Sequence, residues 1–359
     1  MIKRVIKSFC AENISTGYLY FYVHFITEIC CFFCLTKVTG DPIVLWFTPF
    51  IYDFAAFVPQ SVIGLFCDNH PKFKPGIVGT IVLSIGMLLF YLFEDPYVPI
   101  LVVAIGNAFI HVSGAETTLR TSHGKLSHVA IFVAGGSFGV ISGKMMAALD
   151  IPMYALVIAA FTMIPFMLLA DQAAKDEVLA DFNYANKSAS PLAVVLFATL
   201  IVMIRGYMGY GIPTSWNKTA VQAVLLYVTM GIGKAMGGIL SDAIGMRKTM
   251  FISILGALPF LLFGDKIMII SLIGVMFFSM TMSISLGLIV SALKENPGLS
   301  FGFTTIGLFL GTVPIFIFRV KSLWINIVSI TVMTMVCLAL ALHIIGKERQ
   351  DARNTDGIS

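Results

Sequence analysis

The sequence is poor in charged residues. Only 12% of its 359 residues are Asp, Glu, Lys or Arg, whereas 58% are hydrophobic. Soluble domains carry about 25% charged residues, so this composition excludes a soluble globular protein. The apolar runs are about 20 residues long, which is the length that crosses a bilayer as an α-helix. The sequence therefore predicts an all-α membrane protein.

Motifs of the common enzyme classes are missing. The chain has no glycine-rich phosphate loop, no His-Glu-x-x-His zinc motif and no paired nucleophile and base. Its long polar interval, DQAAKDEVLADFNYANKSAS at 171–190, is too short for a nucleotide-hydrolysing domain. We therefore expect no enzyme activity, no primary pump, no cofactor and no nucleic-acid partner. An intramembrane enzyme and a transporter-like sensor are the minor alternatives.

The cysteines form no framework for disulfides or metals. Cys30, Cys31 and Cys34 cluster in the first apolar run, and Cys337 lies in the last. Cysteine commonly serves as a small, polarisable packing residue. We assign that role here and predict no metal site; a soft-metal site at these cysteines is the minor alternative.

Apolar runs between turn and charge signals divide the chain into twelve predicted transmembrane helices. They cover 15–36, 43–66, 76–93, 97–115, 128–148, 151–170, 192–213, 220–241, 249–264, 267–292, 299–318 and 322–345. The polar interval separates them six and six. The predicted units are an N-terminal six-helix bundle (1–170), a cytoplasmic linker (171–190), a C-terminal six-helix bundle (191–345) and a cytoplasmic tail (346–359).

Lysine and arginine concentrate in one set of turns. When the N-terminus is placed inside, residues such as Lys72, Arg120 and Lys294 fall on the cytoplasmic side, and few remain outside. Cytoplasmic loops of membrane proteins carry this excess. We therefore predict a multi-pass protein of the cell inner (plasma) membrane, with both termini cytoplasmic, and we expect a monomer in the lipid bilayer.

A short charged turn occurs twice. GGILSDAIGMRKT at 237–249 and its degenerate copy GLFCDNHPKFK at 64–74 each follow the second helix of a half. Such an internal repeat is typical of secondary transporters, whose substrate site lies between the halves. We predict that these turns latch helices in one state and release them in another; the alternative is a pair of solvated turns. The predicted gating residues are Gly64, Asp68, Gly238, Asp242, Gly245, Arg247 and Lys248.

Three ionisable residues are candidates for proton coupling. His24 and Glu28 lie four positions apart in the first helix, so they share a face. A histidine and a carboxylate placed in this way can share a proton. Asp53 is central in the second helix. The alternatives are a structural pair for the first two residues and a buried ion pair for Asp53.

A further set of polar residues at membrane depth is assigned to a substrate path. It comprises Arg205, Lys144, His111, Lys234, Gln60, Tyr207 and Tyr210. Ionisable residues at this depth normally face a cavity or a partner, and arginine binds carboxylate or phosphonate groups through two hydrogen bonds. The excess of positive charge favours an anionic solute. The alternatives are a permanent salt bridge for Arg205, snorkelling lysines and a core histidine at His111.

Several stretches resemble the major facilitator superfamily. The turn at 237–249 is similar to its loop signature G-x-L-x-D-x-x-G-R-R/K. Other stretches resemble the fosmidomycin-resistance type of exporter, and they are HFITE at 24–28, PQSVIGLFCD at 59–68, FIHVSGAETTLR at 109–120 and FVAGGSFGVISGKMMA at 132–147. The chain departs from these patterns at Pro71, Lys74, Val112, Ser137 and Lys144.

The resemblance implies the major facilitator fold, with two pseudo-symmetric six-helix bundles. It also implies a proton-coupled antiporter for efflux of a small, drug-like organic solute; uptake of an organic anion or metabolite is the second possibility. Gly135, Gly136, Gly139 and Gly143 lie in the fifth helix. In exporters such a face marks the interface between the halves, and the alternative is ordinary close packing of helices.

Overall fold

The computed structural model describes residues 15–38, 47–175, 177, 179–317 and 323–346. Within these ranges the chain is helical, apart from turns and one isolated β-bridge between Ala185 and Ile345. The basic start MIKRVIK and the tail from residue 347 onward lie outside the described residues, and so do the charges that the orientation argument places there.

The first half of the chain contains the helices α1 to α8. They are α1 (Ser15–Val38), α2 (Phe47–Phe57), α3 (Pro59–Asn69), α4 (Pro75–Leu89), α5 (Tyr97–Arg120), α6 (Ser127–Ala148), α7 (Met153–Phe161) and α8 (Met163–Ala174).

The second half contains the helices α9 to α15. They are α9 (Pro191–Gly211), α10 (Ala220–Ile244), α11 (Met246–Phe263), α12 (Met268–Ser279), α13 (Thr281–Ala292), α14 (Pro297–Ile317) and α15 (Leu323–Ile344).

Three of the twelve predicted spans contain a one-residue break in the α-helix, at Val58, Thr162 and Met280, where the backbone angles stay in the right-handed helical region. The breaks fall between α2 and α3, α7 and α8, and α12 and α13. Proline explains the first, because Pro59 opens α3 and has no N–H to donate. When each pair is counted as one span, eleven described helices are long and apolar enough to cross a membrane, and α4 is a shorter apolar helix. The described helices thus correspond to the twelve predicted spans.

The most extensive contact within the first half joins α1 and α6. A side chain at Gly135, Gly139 or Gly143 would collide with the α1 backbone, so these glycines set the close approach of the two helices. The glycine face of the fifth span therefore packs inside its own half. The expectation that it marks the interface between the halves is wrong.

Two helix pairs dominate the contact between the halves. They are α6 with α10 and α3 with α14, which join the fifth span to the eighth and the second span to the eleventh. Because each half contributes its second and fifth spans, the arrangement is pseudo-symmetric. The repeated turns lie at the ends of α3 and α10, directly beside these contacts.

The linker between the halves is attached to the last helix. Asn186 N donates to Ile344 O at 2.7 Å, and Gly346 N donates to Tyr184 O at 2.9 Å. The side-chain amide of Asn186 also donates to His343 O at 3.1 Å. The end of the linker is therefore attached to the second half, and the Tyr184 hydroxyl also donates to Gly124 O of the first half at 2.9 Å.

Candidate functional site

The first repeated turn is hydrogen-bonded to a helix of the other half. The Asp68 carboxylate accepts hydrogen bonds from Gly298 N and Leu299 N, both at 2.9 Å, at the N-terminus of α14. Helix N-termini favour negative charge because their first N–H groups are unpaired. A Cβ at Gly64 would collide with the backbone of Gly298. Glycine here is therefore required for α3 and α14 to come this close.

The second repeated turn makes the equivalent contact in the opposite direction. Asp242 accepts hydrogen bonds from Leu126 N at 2.9 Å and Ser127 N at 2.8 Å, at the N-terminus of α6. Gly238 faces Leu126 and Ala130 of the same helix region. We call the Asp68 and Asp242 contacts the two latches.

The remaining predicted gating residues lie in and directly after the second turn. Gly245 has a φ of +93°, which favours glycine, and it ends α10 so that α11 can begin at once. Arg247 lines a small pocket together with Met250 and Leu338. Lys248 is exposed.

Two of the residues predicted for proton coupling meet a third residue from a different helix. His24 and Glu28 of α1 lie against His111 of α5. The Glu28 Oε1 atom is 3.7 Å from His24 Nε2 and 3.3 Å from His111 Nε2, and the two Nε2 atoms are 2.8 Å apart. All three side chains are buried. His111, which the sequence assigned to the substrate path, belongs to this cluster, which we call the His–Glu–His cluster.

Neighbouring polar groups hold the cluster in place. His24 Nδ1 is 2.9 Å from Phe132 O, and His111 Nδ1 is 3.0 Å from Asn107 O. The Asn107 side chain donates to Glu28 Oε1 at 3.2 Å and to the Tyr52 hydroxyl at 2.6 Å. Sequence reasoning missed Asn107, although a polar residue one turn before His111 was a usable signal.

Lys234 comes from the other half of the molecule. It lies in α10 and interacts electrostatically with Glu28 and with both histidines. Its ammonium therefore adds positive charge near the cluster from across the seam, which is our name for the contact surface between the two halves.

Lys144 also contacts the other half. Its Nζ donates to the Tyr227 hydroxyl of α10 at 3.0 Å, and it lies 5.5 Å from the centre of the Phe32 ring. This lysine lies on the seam instead of reaching toward lipid headgroups. Tyr227 was not predicted as a site residue. Tyr210 is exposed and interacts electrostatically with both Tyr227 and Asp53.

Asp53 and Gln60 have different surroundings. Asp53 is half-buried in α2 and, among the described residues, forms no ion pair or side-chain hydrogen bond; its electrostatic neighbour is Glu28. Gln60 is fully buried where α3 packs against Gly302 of α14, and it donates to Ala56 O at 2.7 Å. Gln60 thus lies in the close contact between the halves, where the packing of α3 against α14 encloses its side chain.

Arg205 lies inside the second half. It is only 5% exposed, and its Nη2 donates to Phe278 O at 2.6 Å, near the end of α12. Neither Glu28 nor Asp53 pairs with it, so the alternative of a permanent salt bridge finds no carboxylate partner in the described part of the chain. Tyr207 lies nearby, where α9 packs against Gly311.

Solved structures with a similar fold are transporters. The Escherichia coli fucose:proton symporter has a TM-score of 0.63 and 13% identity, covering 92% of this chain and 98% of its own. The human organic anion transporter MFSD10 has a TM-score of 0.63 and 12% identity, covering 92% and 99%. A bacterial homologue of the iron transporter ferroportin, in an outward-facing state, has a TM-score of 0.55 and 11% identity, covering 92% and 99%.

No model of a protein family matches the sequence, and no curated protein sequence matches it. None of these three solved structures is described as a fosmidomycin-resistance exporter, so that branch stays a prediction. At such low identities the similarity concerns the fold. The chain is a multi-pass membrane protein with the major facilitator fold.

Proposed function

We propose that this chain is a secondary transporter whose two halves rock about a central solute site. The two latches support this proposal. Asp68 ties α3 to a helix of the second half, and Asp242 ties α10 to a helix of the first half. Both turns follow the second span of their half, so both latches close the same side. Alternating access requires such contacts to break in one state and form again in the other.

The proposed solute is a small organic anion that binds on the seam at Lys144 and Tyr227. Lys144 offers an ammonium group, Tyr227 a hydroxyl group and Phe32 an apolar surface. Together they suit a molecule with an anionic and an apolar part. The human organic anion transporter with the same fold makes this class of solute reasonable. Arg205 is a weaker candidate, because its contacts lie inside one half.

Proton coupling is proposed for Asp53. It is a half-buried carboxyl group without a basic partner among the described residues, close to the exposed Tyr210 on the seam. A carboxyl group at this depth is costly when charged and unpaired, so it is suited to carry a proton between the two sides. The fucose:proton symporter is a transporter of this fold that couples to protons. Export is the direction that the sequence resemblance favours, and uptake is the alternative.

A thermal-shift experiment tests the solute site. Benzoate and phosphonoacetate serve as organic anions, and D-fucose serves as a neutral control. A ligand at 100 times its Kd stabilises the folded state by about 2.7 kcal/mol. We expect at least one anion to raise the Tm of the purified protein, Lys144→Met to remove this rise, and Lys144→Arg to keep part of it.

Lys37→Met is the matched control. Lys37 lies at the end of α1, away from the seam, and its ammonium forms a hydrogen-bonded ion pair with Asp150. The variant should respond to the anions as the unchanged protein does. Stabilisation by D-fucose alone, or equal stabilisation by the anions in Lys144→Met, would contradict an anion site at Lys144.

A further inference from the structure

The His–Glu–His cluster has the chemistry of a metal site, although the sequence predicted none. We propose that His24, Glu28 and His111 bind one divalent transition-metal cation through the two Nε2 atoms and the Glu28 carboxylate. This site is separate from the solute site at Lys144. Three observations carry the proposal: the orientation of the two rings, the spacing of the three donors and the charge around them.

The ring orientation leaves both Nε2 atoms free to donate electron pairs. A backbone carbonyl only accepts hydrogen bonds, so the Nδ1 atom facing it must carry the hydrogen. His24 Nδ1 faces Phe132 O at 2.9 Å, and His111 Nδ1 faces Asn107 O at 3.0 Å. In each neutral ring Nε2 therefore bears a lone pair. Metal-bound histidines are typically held in this way, with the other ring N–H on a carbonyl or carboxylate.

The two lone pairs point at one another across 2.8 Å. Two hydrogen-bond acceptors repel at this distance unless a cation lies between them. Glu28 Oε1 lies on the same side, 3.3 Å from His111 Nε2 and 3.7 Å from His24 Nε2. Zinc–nitrogen bonds of about 2.0–2.1 Å place tetrahedral ligands about 3.3 Å apart. The observed separations bracket that value, so small shifts of the rings complete the geometry.

The surrounding packing fixes the three donors. A Cβ at Gly136 would collide with the imidazole of His24, so α6 leaves room for the ring only because this residue is glycine. The side-chain amide of Asn107 donates to Glu28 Oε1, and the backbone carbonyl of Asn107 orients His111. All three donor residues are 6% exposed. The site is therefore preorganised within the first half of the molecule.

Charge explains how the site can exist without a metal. Glu28 is the one acidic donor, and Lys234 of the second half interacts with it electrostatically across the seam. The ammonium group thus serves as the counter-ion in the closed state. A divalent cation takes over this role when the halves separate and Lys234 withdraws. Lys234 accordingly competes with the metal, and its removal should strengthen binding.

The donor set indicates the class of metal. Imidazole nitrogen suits zinc, copper, iron and nickel, whereas calcium and magnesium prefer oxygen ligands. Zn²⁺ and Co²⁺ are suitable probes, since Co²⁺ shows visible absorption bands when it is bound in a protein site. Both can be used on the full chain in detergent after treatment with a chelator, and the measurement does not depend on whether the chain transports a solute.

The experiment is a titration with Co²⁺ followed by displacement with Zn²⁺. We expect one Co²⁺ per chain, released by Zn²⁺. His24→Asn, His111→Asn and Glu28→Gln remove direct ligands. Loss of a group that only hydrogen-bonds to a metal ligand already lowers metal affinity about 10–100-fold, so each variant should weaken binding at least about tenfold. His128→Asn is the control, because His128 is also fully buried but lies outside the cluster. It should bind Co²⁺ like the unchanged chain.

Lys234→Met keeps the proposal testable if a ligand variant does not fold. We expect this variant to bind Co²⁺ several-fold more tightly, because it loses the competing ammonium. Equal Co²⁺ affinity in the unchanged chain, His24→Asn and His111→Asn would overturn the proposal. So would the absence of Co²⁺ bands in both the unchanged chain and Lys234→Met, and in that case the cluster accepts only a proton between its rings.

Discussion

At the residue scale, the buried Arg205 binds a backbone carbonyl: its Nη2 donates to Phe278 O. The sequence placed Arg205 at membrane depth as a ligand of an anionic solute, with a permanent salt bridge as the alternative. The α-helix is irregular at Met280, close to this carbonyl, and the hydrophobic pattern of 267–292 gave no sign of it. The contact between Glu28 and His111 could not be predicted from the sequence either, because only the packing of α1 against α5 brings the two residues together.

The carboxyl group of Asp53 leads to a prediction about coupling. Asp53→Asn keeps the shape of the side chain but cannot gain or lose a proton. In proteoliposomes that contain a pH-sensitive dye, we expect benzoate to move protons with the unchanged protein and not with Asp53→Asn. Exchange of labelled benzoate against unlabelled benzoate should continue, since exchange needs no net proton movement.

Asp95→Asn is the control for that experiment, because Asp95 is exposed in the turn before α5. It should retain proton movement and exchange alike. Loss of both activities in a folded Asp53→Asn protein would assign Asp53 to solute binding or structure.

At the element scale, the glycine stripe of the fifth span predicted close packing but not its partner. Small residues four apart indicate that another helix approaches, and they carry no information about which helix that is. The structure identifies α1, whose backbone faces Gly135, Gly139 and Gly143. The breaks within three spans were also not predicted, apart from the signal of Pro59. The number and order of the spans followed from the apolar runs, since the bilayer fixes their length.

A pair of glycine substitutions tests this contact. Alanine is favoured over glycine in a helix by about 0.5–1 kcal/mol, so Gly→Ala destabilises only where the added methyl group has no room. A Cβ at Gly139 would collide with Phe25 O, whereas a Cβ at Gly209 meets only the Phe278 ring at an ordinary 3.7 Å. We expect Gly139→Ala to lower the Tm of the purified protein, because overpacking costs about 1–3 kcal/mol.

Gly209→Ala should leave the Tm unchanged or raise it slightly. A Tm that falls equally in both variants would show that the α1–α6 contact is not unusually tight. Circular dichroism of both proteins in detergent is sufficient for the comparison.

At the scale of the whole molecule, the repeat of the charged turn was the most informative part of the sequence. Asp68 and Asp242 were recognised as equivalent because each follows the second span of a half. The sequence predicted that the turns latch helices but did not identify the groups that the two aspartates bind. Both contact helix N-termini of the opposite half, and this symmetry could not be read from either turn alone.

The two latches lead to a prediction about the ratio of open to closed molecules. Asp68→Asn and Asp242→Asn each remove a negative charge from a helix N-terminus. The loss destabilises the closed state by about 1–2 kcal/mol at the partly buried Asp68 and by about 0.3–1 kcal/mol at the exposed Asp242. Because about 1.4 kcal/mol corresponds to a tenfold change, Asp68→Asn should raise the ratio of open to closed molecules about tenfold, and Asp242→Asn about two- to fivefold. Distances between spin labels on the latch side of the two halves measure this ratio.

The double variant should show the product of the two effects, since well-separated sites act additively. Asp181→Asn is the control: it breaks an exposed ion pair with Lys294, which has a 3.2 Å separation, and such pairs contribute little. Unchanged distances in the Asp68→Asn, Asp242→Asn double variant would leave the charged turns with a role in membrane orientation only.

The attachment of the linker to α15 has a mechanical consequence. Tyr184, Ala185 and Asn186 are bound to the end of the last helix, and the Tyr184 hydroxyl also donates to Gly124 O in the turn before α6. Phe182, two residues earlier, is buried. The end of the linker therefore bridges the two halves beside the Asp242 latch. Opening on this side must break the Tyr184–Gly124 hydrogen bond or pull the linker away from α15, so the linker adds to the contacts that hold this side closed.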